Sequence, residues 1–167
     1  MTLLVALAAF NVSAASNGFD SKEPIEISSD SLEVMQKDRI AIFRGNVIAK
    51  QGKVTLNSNE MKVYYKEGGN DTAGASGSVS KIEVTGNVIL VTAQESAEAD
   101  KGVYQVDRKH VTMLGNVSLT KDKSVIKGNR LEYDLASGKS VLTSLPMDNQ
   151  GKKGNRVRGV FVPEEKK

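Results

Sequence analysis

The sequence of 167 residues contains no cysteine and no tryptophan, only three prolines and a single histidine. The absence of cysteine excludes disulfides, Cys-ligated zinc, thiol catalysis and a lipidated N-terminal cysteine. A lone histidine, His110, leaves a His-based triad or a histidine zinc site without enough members. We therefore predict no metal, no cofactor and no enzymatic activity.

Other chemical patterns are equally sparse. Gly68-Gly69 lacks the Lys-Ser/Thr and the helix that complete a phosphate-binding loop. The carboxylates Glu95, Glu98 and Asp100 cluster, but nothing directs two of them into one cleft, so we interpret them as solvated strand charge. Aromatic residues make up 5% of the chain, and the net charge of +3 comes from scattered cations. Neither a base-stacking platform nor a basic stripe is present, so no nucleic-acid partner is expected.

The N-terminal segment resembles a secretory signal. Residues 1–10 are apolar and uncharged, and Val12-Ser13-Ala14 offers small residues where a signal peptidase reads. This segment is too short to cross a membrane as a helix. A basic n-region is missing, because no Lys or Arg precedes Lys22. We predict a signal peptide over 1–14, a flexible N-terminus over 15–23 and export; the alternative is a buried N-terminal helix.

From Pro24 onward, apolar and polar residues alternate over short runs, as in Ile25-Glu26-Ile27 and Val54-Thr55-Leu56. This pattern indicates strands with one buried and one solvated face. Gly, Asn, Asp and Ser bound the runs, as turns require. No sustained helical period follows residue 14, and the prolines at 24, 146 and 163 lie near the start and finish of the pattern. The predicted fold class is all-β.

An internal repeat divides this region. Its copies are Gly45-Asn46-Val47, Gly86-Asn87-Val88 and Gly115-Asn116-Val117, and Tyr64, Tyr104 and Tyr133 follow their glycines by 19, 18 and 18 residues. A Gly/Ser-rich stretch at 67–78 lengthens the first interval and is predicted to be a flexible loop. A repeat of short strands with sharp Gly-Asn corners is typical of stacked β units that bury their apolar faces against one another.

Five segments carry a family resemblance. They are Pro24-Ile25-Glu26-Ile27-Ser28-Ser29-Asp30, the run from Phe43 to Gly52, Leu114-Gly115-Asn116-Val117, the run from Ile126 to Tyr133, and Val160-Phe161-Val162-Pro163. As an ordered set they resemble the LptA, or OstA-like, family of periplasmic lipopolysaccharide-transport proteins. The resemblance covers residues 24–163, which we take as one domain, followed by a disordered tail at 164–167.

The resemblance implies a twisted, half-open β-jellyroll of two facing antiparallel sheets, built here from short β repeats. It also implies a periplasmic carrier that binds the lipid A acyl chains of lipopolysaccharide in an apolar groove. Such a carrier bridges the inner and outer membranes. The implied partners are lipopolysaccharide, a membrane-anchored LptC-like component of the inner-membrane export complex, an LptD-like outer-membrane translocon, and further copies joined end to end.

Matching the family's first strand and following the alternation gives the expected groove residues. They are Ile25, Ile27, Ile40, Ile42, Val54, Leu56, Met61, Val63, Ile82, Val84 and Val106. Aliphatic residues with few aromatics suit a saturated acyl chain, which needs apolar contact and no hydrogen bonds. Each of these residues has the alternative of being ordinary core, and a slip of one residue would turn a strand's side chains to the other face.

The open edges of such a fold are expected to be binding surfaces, because unpaired strands add to other strands. The expected edge residues are Ile25, Glu26, Ile27 and Ser28 at one end, and Val157, Val160, Phe161 and Val162 at the other. Four basic residues are candidates for contact with lipid phosphates, with solvated surface as their alternative: Arg44, Lys50, Arg156 and Arg158.

Three rival interpretations remain open from the sequence. A secreted structural β-repeat protein would have a filled interior and take up no lipid. A polysaccharide lyase on a β-solenoid requires a cleft of convergent charges, which we do not find. A soluble domain related to the translocon or to the membrane-anchored bridge component would accompany a barrel or an anchor.

Overall fold

The computed structural model describes residues 23–66, 79–144 and 156–162. The predicted signal peptide at 1–14, the flexible N-terminus up to residue 22, the loop at 67–78 and the tail at 164–167 lie outside the described residues. Throughout the described ranges the regular elements are β-strands, with no helix. Accordingly, these ranges contain no helix that could cross a membrane.

Ten strands make up the described fold. They are β1 (Glu26–Ser28), β2 (Ser31–Met35), β3 (Ile40–Gln51), β4 (Val54–Tyr65), β5 (Val79–Val91), β6 (Glu95–Gln105), β7 (His110–Lys121), β8 (Ser124–Asp134), β9 (Lys139–Thr143) and β10 (Arg158–Val160).

The strands form one antiparallel sheet that does not close on itself. Its hydrogen-bonded order is β1-β3-β4-β5-β6-β7-β8-β10, with β2 also paired to β3 and β9 also paired to β8. Each edge of the sheet therefore carries two short strands on one long strand. The predicted all-β, half-open jellyroll is confirmed, and its two facing sheets are two parts of one continuous hydrogen-bonded path.

The long strands bend at the Gly-Asn corners. Gly45, Gly86 and Gly115 share a φ of +79°. The asparagine after each glycine also has a positive φ, between 46° and 47°, a backbone region that Asn tolerates better than most residues. The ladder loses register at each corner, for example between Leu114 and Val117 of β7. These are β-bulges, which insert one extra residue and bend the strand.

A side chain from the adjacent part of the sheet holds each corner. The amide nitrogen of Asn46 donates to Asp30 Oδ2 at 2.8 Å, and that of Asn116 donates to Asp100 Oδ2 at 2.9 Å. At the third corner, Asn87 donates to the amide oxygen of Asn59 over 3.3 Å. The acceptor side chain lies directly against the glycine, so the corner needs glycine for space as well as for its φ.

The corners divide the sheet into two layers. Layer A contains the segments 31–35, 40–44, 60–65, 79–85, 101–105, 110–114, 130–134 and 139–143; layer B contains 26–28, 47–51, 54–58, 88–91, 95–99, 117–121, 124–128 and 158–160. One hydrophobic cluster takes residues from both layers. Its fully buried members include Met61, Met113 and Leu131 of layer A, and Val47 and Val88 of layer B.

The repeated tyrosines are not equivalent in the structure. Tyr104 and Tyr133 face the interior, where Tyr133 belongs to the buried cluster and Tyr104 packs against it. Tyr64 follows the buried Val63, so it lies on the outer face, where its hydroxyl donates to Glu83 Oε2 at 2.6 Å. The spacing of 19 rather than 18 residues explains the difference, because one residue reverses the direction of a strand side chain.

A corner glycine can be tested by the substitution Gly115→Ala. The added Cβ would lie 2.3 Å from Asp100 Oδ2 on a backbone with φ of +79°. We expect the free energy of unfolding to fall by about 1–3 kcal/mol, the range for strained backbone positions, measured by urea denaturation. Gly138 has a φ of 70° and lies in the turn between β8 and β9, so Gly138→Ala is the control for a positive φ away from the corners. Equal losses in the two variants would contradict the close-packed corner.

Candidate functional site

An apolar cavity of about 60 Å³ lies between the two layers. Its lining residues are Ile25, Ala49, Lys50, Gln51, Val54, Leu56, Ile82, Val84, Val88, Leu90, Gly102, Val103, Tyr104, Val111, Met113 and Leu135. Both layers contribute, for example Val84 and Met113 from layer A, and Leu56 and Leu90 from layer B. The layers therefore face each other across this space.

Small residues lie in the cavity wall and in the core beside it. Ala49 and Gly102 line the cavity, and Ala97 and Ala99 of layer B are buried. A Cβ on Gly102 would lie 2.9 Å from a methyl carbon of Val84. A glycine within a central strand weakens it and commonly marks close approach of another group. Here the approaching group is the methyl of Val84, and both residues lie in the wall of the cavity.

The cavity is too small to hold a long hydrocarbon as it stands. An engineered protein cavity of about 150 Å³ admits benzene, and the cavity here has about 60 Å³. A fatty acyl chain is several times longer than benzene. Binding of such a chain therefore requires the two layers to move apart, and the Gly-Asn corners between the layers are where the long strands already bend.

Most of the predicted groove residues lie at or beside this cavity. Ile25, Val54, Leu56, Ile82 and Val84 line it. Met61 and Val63 are fully buried in the adjoining cluster, and Ile27 packs against that cluster half-buried. Contact of any of these side chains with lipid stays a prediction.

The placement predicted for three residues is corrected. On β3 the inward residues are Ala41 and Phe43, so the alternate residues Ile40 and Ile42 face outward. Ile42 is buried there but lies outside the core cluster. Val106 follows the end of β6 and makes a turn, with its carbonyl accepting from Lys109 N at 3.1 Å. None of these three lines the cavity.

Several lining residues were missed, including Ala49, Val88, Leu90, Val111 and Met113. A signal for them exists in the repeat. In a strand with a Gly-Asn corner, the inward residues before and after the bulge are either all odd-numbered or all even-numbered. Val84 and Val88 of β5 are an example. In the strands between them, the inward residues change from odd to even numbers, or the reverse, at the bend. In β6, for example, Ala99 is inward before the bend and Gly102 after it. In β3, Val47 and Ala49 are inward and odd-numbered, so the same rule predicts Ala41 and Phe43 as the inward residues before the corner.

Apolar side chains are exposed at both edges of the sheet. At the first edge, Leu32 and Val34 are 56% and 44% exposed. They sit opposite the inward residues Phe43 and Ala41, so they extend the interior surface to the rim. At the other edge, Phe161 is 70% exposed. The interior is thus open to solvent on the sides where the sheet is not closed.

Charged groups lie outside the cavity, apart from Lys50 at its rim. Arg44, a candidate for phosphate contact, is engaged by Glu33 at 2.8 Å and by Glu60 at 3.0 Å. Lys50 sits opposite Glu26 in the register of β1 and β3. Within the described ranges, no group of three acidic, histidine or cysteine side chains is arranged to hold a metal ion.

The comparisons with known proteins agree with this geometry. A family profile described as "LptA/(LptD N-terminal domain) LPS transport protein" matches residues 26–139. An uncharacterized protein of Rhizobium meliloti is 30% identical over 146 residues, which are 87% of this chain and 74% of that protein. The lipopolysaccharide export system protein LptA of Escherichia coli K12 is 26% identical over 171 residues, covering 99% of this chain and 85% of that protein.

The fold has a counterpart among solved structures. The crystal structure of LptH, described as the LptA homologous periplasmic component of the lipopolysaccharide transport device of Pseudomonas aeruginosa, superposes with a TM-score of 0.70. The match covers 89% of this chain and 99% of that chain, at 17% sequence identity. At this identity the likeness establishes the fold alone.

The pH dependence of stability tests the interior placement of Tyr104. Burial raises the pKa of Tyr104 to about 12, whereas an unfolded tyrosine titrates near 10. The folded state therefore favours the neutral phenol of Tyr104. Its contribution to the free energy of unfolding is fully present below pH 10 and is lost as the pH rises towards 12. We expect Tyr104→Phe to lose less stability than the parent chain between pH 10 and 12 in urea titrations. Identical pH profiles would contradict the burial of the phenol.

Proposed function

This chain belongs to the LptA/(LptD N-terminal domain) LPS transport protein family, and we propose that it carries lipopolysaccharide with the lipid's acyl chains held between layers A and B. Proteins of this family transport their cargo and are not enzymes. The site of action we propose is the periplasm, since the lipid must cross this aqueous space and LptH is described as a periplasmic component.

The observation that carries the proposal is the apolar space between two layers that are open at both edges. Almost all side chains around it are aliphatic, so they offer contact without hydrogen bonding. Burying an acyl chain of about twelve CH₂ groups contributes on the order of 10 kcal/mol, at about 0.8 kcal/mol for each group. A contribution of this size is comparable to that of tight noncovalent binding, so no covalent chemistry is needed to hold the lipid.

The edge strands support a second part of the proposal, that copies of the chain join end to end. β1 and β10 both belong to layer B and lie at its two opposite edges. Each has one paired side within the described sheet, which leaves its outer backbone edge available for strand addition. Joining β10 of one copy to β1 of the next would continue layer B, and with it the apolar interior, from copy to copy.

Where the joined copies end, the free edge strand of the terminal copy can bind a different protein by the same strand addition. We propose an LptC-like membrane-anchored component at the inner membrane and an LptD-like translocon at the outer membrane. A structural β-repeat protein without lipid uptake is the alternative. The apolar rim formed by Leu32 and Val34 disfavours it, because a purely structural layer has no need of exposed interior side chains.

Site-specific photocrosslinking tests the lipid site. A benzophenone amino acid at Leu56 would face the cavity, and one at the adjacent Thr55 would face outward from the same strand. We expect lipopolysaccharide adducts from Leu56 and none from Thr55, read by immunoblot after irradiation. Adducts from both positions, or from Thr55 alone, would contradict lipid binding between the layers.

Self-association can be tested with Phe161→Ser. Phe161 is 70% exposed beside β10, so its loss should leave the monomer's stability unchanged. Because exposed aromatics commonly dominate interfaces, we expect end-to-end association to weaken about tenfold, measured by sedimentation velocity over a concentration series. The control Val141→Ser removes an exposed apolar side chain of β9 in layer A. If the two variants associate equally, β10 is not the joining edge.

A further inference from the structure

A polar cleft of about 430 Å³ lies on the outer face of layer B, next to the edge strand β10. One row of residues crosses it. Glu98 of β6 is opposite Ser118 of β7, Ser118 is opposite Lys127 of β8, and Lys127 is opposite Arg158 of β10. Arg156, two residues before Arg158, adds a third cation to the lining.

The charges of this row are not balanced. Lys127 and Arg158 are exposed cross-strand partners, an arrangement of like charges that destabilises a sheet. Glu98, the one acidic residue of the lining, lies two strands from Lys127, at about 10 Å given the usual strand spacing. In the described part of the chain, no carboxylate forms an ion pair with Lys127, Arg156 or Arg158.

Some of the other cations on the described surface are paired with carboxylates. Arg44 pairs with two glutamates, Lys66 pairs with Asp107 at 2.6 Å, and Lys81 pairs with Glu83 at 2.7 Å. Lys127 and Arg158 differ from them in being direct cross-strand neighbours in one cleft, where a bound anion would relieve their repulsion. The hydroxyl of Ser118, on β7 and directly opposite Lys127, adds a neutral donor to the cleft.

We infer that this cleft binds a phosphate group carried on the sugar of a lipid whose acyl chains lie between the layers. The inference rests on the proposed function for the source of the phosphate. The cleft borders the β10 edge of layer B, where a headgroup would leave the apolar interior of a copy that has no further copy joined at β10. Lysine and arginine together suit a phosphate, which accepts several charge-assisted hydrogen bonds.

An added protein strand fits the cleft less well. Strand addition uses the backbone edge of β10, whereas the cleft extends inward across β8, β7 and β6 on the outer face of the sheet. A compact anionic group therefore matches its shape better than an extended peptide. A second copy of this chain remains a distinguishable outcome of the experiment.

The test compares Lys127→Gln/Arg158→Gln with the control Lys37→Gln/Arg108→Gln, which removes one lysine and one arginine from exposed turns. The ligands are lipid A with both phosphates, lipid A with both phosphates removed, and inorganic phosphate. We expect the cleft variant to bind phosphorylated lipid A about tenfold more weakly, the effect of losing one charge-assisted hydrogen bond. The control should bind normally, and all proteins should bind the dephosphorylated lipid equally.

Equal affinities of the cleft variant and the control for phosphorylated lipid A would overturn the inference. An equal loss of affinity for the dephosphorylated lipid would also overturn it, because the defect would then concern the acyl site. A variant that binds both lipids normally but no longer self-associates would assign the cleft to a second copy. If the parent chain binds neither lipid, the proposed function fails, and amide shifts of Ser118 and Lys127 with inorganic phosphate then decide the anion site separately.

Discussion

The bend at the middle of each long strand is the constraint on which the rest of the molecule depends. A flat sheet of these strands would leave one apolar face in water, and folding the sheet over buries that face against itself. The bend requires left-handed backbone at two consecutive residues, which Gly115-Asn116 and its two counterparts supply. The Asp100–Asn116 and Asp30–Asn46 contacts hold neighbouring strands together where the ladder is interrupted.

The same bend makes an interior that can open. Layers A and B are joined through corners and share one hydrogen-bonded path, so they can separate without breaking a strand pair. Their facing side chains are aliphatic or small, and the cavity between them has about 60 Å³. Weak, non-directional contacts of this kind are exchanged for contacts with an acyl chain at little cost. Exposed apolar residues such as Leu32 and Phe161 mark the open edges.

The sequence was sufficient to predict the fold class, the corners and part of the apolar wall, because alternation and the Gly-Asn repeat are local signals. It misplaced Ile40 and Ile42, since alternation alone does not say which of two adjacent apolar residues faces inward. The acceptors Asp30 and Asp100 were not identified, although each precedes its asparagine by 16 residues. The cationic row was only half found, because Lys127 joins Arg158 through pairing of distant strands.

The central claim is that lipid enters between layers A and B and separates them. Since the chain has no cysteine, spin labels can be attached to introduced cysteines, and electron paramagnetic resonance then measures the distance between them. The pair Lys62→Cys/Thr120→Cys spans the two layers, and Thr55→Cys/Thr120→Cys lies within layer B. The account predicts that lipopolysaccharide lengthens the first distance and leaves the second unchanged. Saturation with lipopolysaccharide while both distances stay the same would contradict it.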